Sequence, residues 1–133
     1  MQPRIFLLLA AIAGFTGVAL GAFGAHGLKG TLEPHQLVWW NTAVQYHLVH
    51  AVVLLGVAAW LQVSPNASCS RWLRRTGVMM VLGLLLFSGS LYTMALTDMR
   101  ALGMVTPFGG LSWLMGWFGF VLAASVLKPS EQE

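Results

Sequence analysis

The chain has 133 residues, 57% of them hydrophobic and 8% charged, with a formal net charge of +3. Soluble domains carry about 25% charged residues, so this composition excludes a globule with an ordinary water-facing surface, and the length suits one domain. The charge rests on seven basic and four acidic side chains. The one basic group, Arg71, Arg74 and Arg75, directly precedes a long apolar run, where arginines fix membrane topology; nothing here forms a nucleic-acid surface.

Four apolar stretches organise the chain: Ile5 to Ala25, about Thr42 to Val63, Trp72 to Leu96, and Phe108 to Leu127. Each is close to the roughly 20 residues needed to cross the hydrocarbon of a bilayer. Backbone polarity in lipid leaves helices or a closed barrel as the options. These runs are long and continuous, without the short alternating segments of barrel strands. The predicted fold is therefore all-α, a single integral-membrane domain of four transmembrane helices spanning residues 1–133. The first stretch exceeds the apolar core of a signal peptide, usually about 7 to 15 residues, and is read as an uncleaved span.

Gly14, Gly17, Gly21 and Gly24 share one face of the first span, and Gly116 and Gly119 repeat the pattern in the fourth. Such faces allow close helix approach, within the bundle or between copies. The two glycine faces are expected to be able to meet each other. The first connection, His26 to Asn41, contains Thr31 as a candidate cap for a short helix and Pro34 near its first turn. His35 to Asn41 is either an amphipathic interfacial segment or an outward extension of the second span, with Trp39 and Trp40 suited to interfacial depth. Ser64 to Arg71 reads as a plain polar loop carrying the lone Cys69, a thiol with no assigned role. Thr97 to Pro107 is the last connection, with Thr106 a candidate N-cap of the fourth helix. The segment from Lys128 reads as a polar, frayed tail.

An even number of spans places both termini on one side. Arg4, Arg71, Arg74, Arg75 and Lys128 fall on that side. Lys29 and Arg100, accompanied by Glu33 and Asp98, fall on the other. The excess predicts cytoplasmic termini. It also leaves the glycosylation pattern Asn66-Ala67-Ser68 facing the cytoplasm, without meaning there.

The polar residues within the spans are the candidate site. His47 and His50 are spaced i, i+3 and share a helix face beside Tyr46. Intramembrane histidines turn toward protein or water. On the predicted topology, His26, Tyr46, His47, His50, Ser90, Tyr92 and Thr106 fall in the outer half and are able to form a polar patch. Three readings stay open: internal hydrogen bonding, a metal or haem site, or a proton- or substrate-handling site. No acidic residue lies within a span, and there is no nucleophile elbow, phosphate loop or HExxH. The expectation is a non-enzymatic structural, accessory or envelope-stress protein, without cofactor or metal. Its expected partners are membrane lipids and, as a further option, copies of itself. The alternative is a transporter or ligand-binding membrane protein using the outer patch.

The blocks LGAFGAHGL at Leu20 to Leu28, YHLVHA at Tyr46 to Ala51, GLLLFSGSLY at Gly83 to Tyr92 and TPFGGLSWLMGW at Thr106 to Trp117, in this order, resemble the DUF423 family, also grouped as UPF0382. The resemblance covers nearly the whole chain. It implies a small multi-spanning protein of the bacterial inner membrane, with Gram-negative bacteria as the expected source. It implies no reaction. The matched positions include Gly21, Gly24, His26, Tyr46, His47, His50, Ser90, Tyr92, Thr106 and Gly116.

Overall fold

A computed structural model describes residues 2–127. The tail from Lys128 and that residue's contribution to the charge asymmetry lie outside the described residues. Within them the chain is helical and has no strand. It forms α1 (Pro3–His26), α2 (Pro34–Gln62), α3 (Ala67–Gly83), a π-helical turn (Leu84–Ser88), α4 (Gly89–Thr97), a 3-10 turn (Arg100–Met104) and α5 (Thr106–Ser125). Because α3, the π turn and α4 are continuous, there are four helices long and apolar enough to cross a membrane: Pro3–His26, Pro34–Gln62, Ala67–Thr97 and Arg100–Ser125.

The spans are longer than their apolar cores because polar residues cap them. The second begins at Pro34 and not near Thr42. Glu33 is its N-cap and forms a capping box with Gln36, whose Oε1 accepts from the Glu33 amide at 2.9 Å. Thr31 is therefore not the cap. It lies in the preceding turn, where Gly30 adopts φ +87°. The outward extension is the arrangement found, and Gln36 ties it to the third span by donating from Nε2 to Ala95 O at 2.9 Å. Trp40 faces the bundle interior and not the lipid. It is 2% exposed, and its indole N–H donates to Leu20 O of α1 at 2.9 Å.

The segment read as a polar loop is mostly helix. Asn66 caps α3, its Oδ1 accepting from the Cys69 amide at 2.8 Å, while its Nδ2 donates to Val126 O at 3.2 Å. Cys69 is consequently buried in the first turn of α3 and packs in the main core with Leu61 and Leu73. At the other end, α5 starts at Thr106 with Val105 as the capping position, so Thr106 is the first helical residue and not the N-cap. Its hydroxyl pairs with Ser90 Oγ at 2.6 Å instead.

α1 packs along α2, and α5 along α3 and the π turn, while α2 also meets the third span through α3, the π turn and α4. The two glycine faces do not meet. In α1, Gly24 abuts Trp40, Gly17 abuts Leu48, and Gly21 faces Val44, all on α2. In α5, Gly116 faces Met79 and Met80, and Gly119 faces Thr76 on α3. Gly14 stands apart, with open space where a side chain would begin. The main core lies toward the Arg4 end, where Phe6, Leu54, Val57, Leu61, Leu73 and Ala123 converge. Large apolar side chains such as Phe15, Val52, Leu85 and Phe118 point outward, an arrangement suited to lipid and not to water.

The π turn sets the register of the third span. Its defining bond runs from the Gly89 amide to Leu84 O. The turn presents Ser88 Oγ to Ala43 O of α2 at 2.9 Å and turns the Phe87 backbone onto Gly109 of α5. Because that contact is with backbone, it has no flexible side chain to move aside. Gly109→Ala is expected to lower stability by about 1–3 kcal/mol, the usual cost of overpacking. Gly14→Ala should leave it unchanged. Thermal unfolding of the two variants in detergent checks the contrast, and equal midpoints would contradict the close approach.

Candidate functional site

The candidate residues are positioned mainly by α2, which crosses the bundle between α1 and the third span. A neutral imidazole has one N–H donor and one acceptor nitrogen, so their partners assign the tautomer. Thr16 Oγ1 donates to Ile12 O at 2.8 Å, which commits its proton to the α1 backbone. Its lone pairs can then accept from His47 Nε2, at the long distance of 3.4 Å. That leaves His47 Nδ1 to accept the Tyr92 O–H at 3.0 Å. His47 thus links α1 to α4, with its proton on Nε2. It is 4% exposed, and the Tyr92 ring beside it packs edge-on against Trp40.

His50 has the opposite tautomer. Its Nδ1–H donates to Tyr46 O one turn earlier, at 2.8 Å. Nε2 is then the acceptor, buried and without a hydrogen-bond partner among the described residues. The ring lies flat on the Trp113 indole, centroids 3.7 Å apart and planes within 6°. Tyr46 stacks over the same indole at 5.8 Å and leans on Phe87 at 4.8 Å. Its own side chain is 43% exposed.

The seven candidate residues therefore do not form one patch. Six of them fall into three separate arrangements: His47 with Tyr92, His50 and Tyr46 with Trp113, and Ser90 with Thr106. Ser90 Oγ also donates to Phe87 O at 2.9 Å, so the Ser90–Thr106 pair secures the start of α5 to α4. His26 joins none of them. It is exposed at the end of α1 and makes no side-chain hydrogen bond among the described residues. Its place at the last helical turn left its side chain beyond the packed interface. Among the described residues there is no group of three His, Cys, Asp or Glu side chains able to hold a metal ion. The hollows between helices are shallow apolar grooves on the outer surface, and neither histidine lines the larger ones.

Some partners were absent from the sequence reading. Thr16 and Trp113 complete the two histidine arrangements. A hydroxyl inside the otherwise apolar first span was a usable signal for Thr16. For Trp113 the signal was a tryptophan set well inside its span, away from the bilayer edges where that residue gathers. His35 and Asp98, distant in sequence, pair across the outer connections with Nε2 and Oδ1 at 2.8 Å. Both are partly exposed, so this pair contributes about 0–1 kcal/mol.

Residues 20–110 match the family described as "Protein of unknown function (DUF423)". The UPF0382 inner membrane protein YgdD of Escherichia coli K12 is 42% identical over 128 residues, covering 96% of this chain and 95% of that protein. The UPF0382 membrane protein YwdK of Bacillus subtilis is 40% identical over 121 residues, covering 91% of this chain and 96% of YwdK. The chain belongs to the DUF423 family. No solved structure matches it. As a DUF423 protein with four apolar helices it is a multi-pass integral protein of the bacterial inner membrane. The family match reaches from the end of α1 to the first turns of α5 and includes His47, His50, Ser90, Tyr92 and Thr106. The two partners missed in sequence, Thr16 and Trp113, lie outside it. The relatives also come from Bacillus and Staphylococcus, so membership in DUF423 does not by itself assign a Gram-negative source.

The two histidines make opposite predictions. His47→Phe leaves the Tyr92 hydroxyl without its partner and should destabilise by about 1–3 kcal/mol. His50→Phe keeps an aromatic ring on Trp113 and removes the unpartnered nitrogen. Tyr46 O retains the helix bond from the residue-50 amide. This variant should unfold at or above the wild-type temperature. Thermal unfolding in detergent tests both, and a loss at His50→Phe as large as at His47→Phe would refute the assignment of His50 Nε2 as an unpartnered acceptor.

Proposed function

We propose that this DUF423 protein is a non-enzymatic structural or accessory component of the inner membrane, the class in which an envelope-stress role also falls, with its arginine-bearing end in the cytoplasm. One observation carries the reading: His47 is buried, is met at both ring nitrogens by Thr16 of α1 and Tyr92 of α4, and lines none of the larger grooves. A group occupied in this way holds helices together and is not presented to a substrate. Three other buried polar side chains support the same reading. Thr76, Ser88 and Ser112 each donate to a backbone carbonyl of another helix, at 3.3, 2.9 and 2.8 Å. No described span carries a carboxylate to couple proton or sodium movement to transport, and Glu33 and Asp98 lie at or beyond helix ends.

The bare Nε2 of His50 favours a second reading, ligand binding, because an unpartnered acceptor is what a donor or metal would complete. Elemental mass spectrometry and an absorption spectrum of gently purified protein separate the two. Wild type and a His47→Ala/His50→Ala variant should both be colourless and free of stoichiometric metal, with the variant less stable. A metal or chromophore present in wild type at one per chain and lost in the variant would overturn the structural reading.

A further inference from the structure

The outward-facing cleft between α3 and α5 combines features that the bundle itself does not use. It is a groove of about 510 Å³ whose walls include Met79 of α3 and Leu114, Met115, Phe118 and Leu122 of α5, with Trp72 and Arg75 toward the cytoplasmic end. A second hollow on the same side is lined by Arg74, Arg75, Val78 and Met79. The two share Arg75 and Met79. Arg75 is therefore a charged side chain set where two apolar grooves join.

The position of the guanidinium follows from helix geometry. Arg75 lies eight residues after Ala67, the first residue of α3, which at 1.5 Å per residue is about 12 Å along the axis. Long side chains on a helix lean toward its N-terminus, here the cytoplasmic end. The Arg75 Cζ accordingly sits over the ring of Trp72, one turn back, 4.9 Å from the ring centroid. The aliphatic stem covers the groove wall while the charge reaches toward headgroup depth. Stacking on an aromatic face leaves the in-plane N–H donors of a guanidinium free to fork onto an anion.

Nothing in the described chain supplies that anion. The only ion pair among the described residues is His35–Asp98 at the opposite end of the bundle. Arg71, Arg74 and Arg75 lie within about one helical turn of each other, all exposed and without a carboxylate partner among the described residues. Topology alone asks only for positive charge at this end, and Arg4 satisfies the same requirement on α1. It does not ask for an arginine folded over a tryptophan at the mouth of an apolar trough.

We propose that the α3–α5 groove is a binding site for an anionic phospholipid of the cytoplasmic leaflet. Arg75, with Arg74 beside it, holds the phosphate, and an acyl chain lies along Met79, Leu114, Met115 and Phe118. Charge complementarity selects the headgroup. Three guanidiniums favour a net negative lipid, and a choline ammonium would find no anionic side chain among the described residues here. Fixed phosphate recognition plus an apolar trough makes this a site, as distinct from the general attraction of a basic surface for the leaflet.

The test uses the full chain in mild detergent, titrated with phosphatidylglycerol or phosphatidylcholine. Thermal unfolding and the number of lipids retained in native mass spectrometry are the readouts. Phosphatidylglycerol should raise the unfolding midpoint and remain bound at about one per chain, and phosphatidylcholine should do neither. Arg75→Gln should weaken apparent phosphatidylglycerol affinity about tenfold, a loss of roughly 1.4 kcal/mol, and Arg75→Lys should fall between, keeping charge but not the fork. Met115→Trp, at a lipid-facing position in the groove, should weaken binding with all arginines present. Arg4→Gln, at the same end on α1, should bind as wild type. Helix content by circular dichroism confirms that each variant is folded, and Met115→Trp supplies the decision should Arg75→Gln fail to fold. Equal affinity in wild type, Arg75→Gln and Met115→Trp would overturn the site. Equal losses at Arg4→Gln and Arg75→Gln would overturn it in favour of diffuse surface charge.

Discussion

The structure depends on one constraint: in lipid, a polar group without an internal partner has no water to turn to. The bundle meets it with side-chain donors that reach the carbonyl oxygens of neighbouring helices. Trp40 bonds Leu20 O, Trp113 bonds Met80 O, Ser88 bonds Ala43 O and Ser112 bonds Met79 O, at 2.8 to 3.0 Å. A helical carbonyl already accepts one bond but keeps a second lone pair, so these contacts add a partner without breaking the helix. They form only if backbones come close, which is what the glycines allow. Gly83 seats the Trp113 indole, and Gly24 seats that of Trp40. Small residues and hydrogen-bond donors therefore act together, each indole filling the space left by a glycine and bonding the backbone beside it.

The same constraint makes His50 informative. His47, Tyr92, Ser90, Thr106 and Thr76 all obey it, and His50 Nε2 does not. Its flat stacking on Trp113 gives the ring a packing role, while Nε2 stands as a bare acceptor among the described residues. The site is thus divided in character: a fully engaged histidine that joins α1 to α4, and a half-engaged one on the α5 side. The arginine-bearing end has a different imbalance, positive charge at the surface without a carboxylate partner among the described residues, and not an unpaired acceptor in the core. The two lie on different helix pairs and pose separate chemical questions.

Much of the architecture was legible in the sequence because lipid imposes a simple rule on length and hydropathy. Four apolar runs gave four spans, and the spacing of Gly17, Gly21 and Gly24 marked the face of α1 that lies on α2. The errors within the spans' extents fell at boundaries, where polar residues continue a helix beyond its apolar run. Pro34 begins α2 because Glu33 and Gln36 cap it, and Ala67 begins α3 because Asn66 caps it and bonds Val126 O. Hydropathy does not register such residues as helical. The sequence marked His47, His50, Ser90, Tyr92 and Thr106 as polar residues that would turn inward but not how they group, since membership in the outer half says little about which neighbour a ring will face.

By itself the sequence determined that this is a four-span membrane protein, which end carries the positive charge, and which residues are too polar to face lipid. Those properties follow from local composition and from the solvent the chain must enter. The tertiary structure alone decided the pairings: α1 with α2, α5 with the third span, His47 with Tyr92, His50 with Trp113, and Arg75 with the α3–α5 groove. The reason is physical. A π turn of five residues at Leu84–Ser88 changes the angular phase of everything after it, and no feature of the string LLLFS announces it. Contacts between helices depend on that phase, so they are fixed only once the helices have packed.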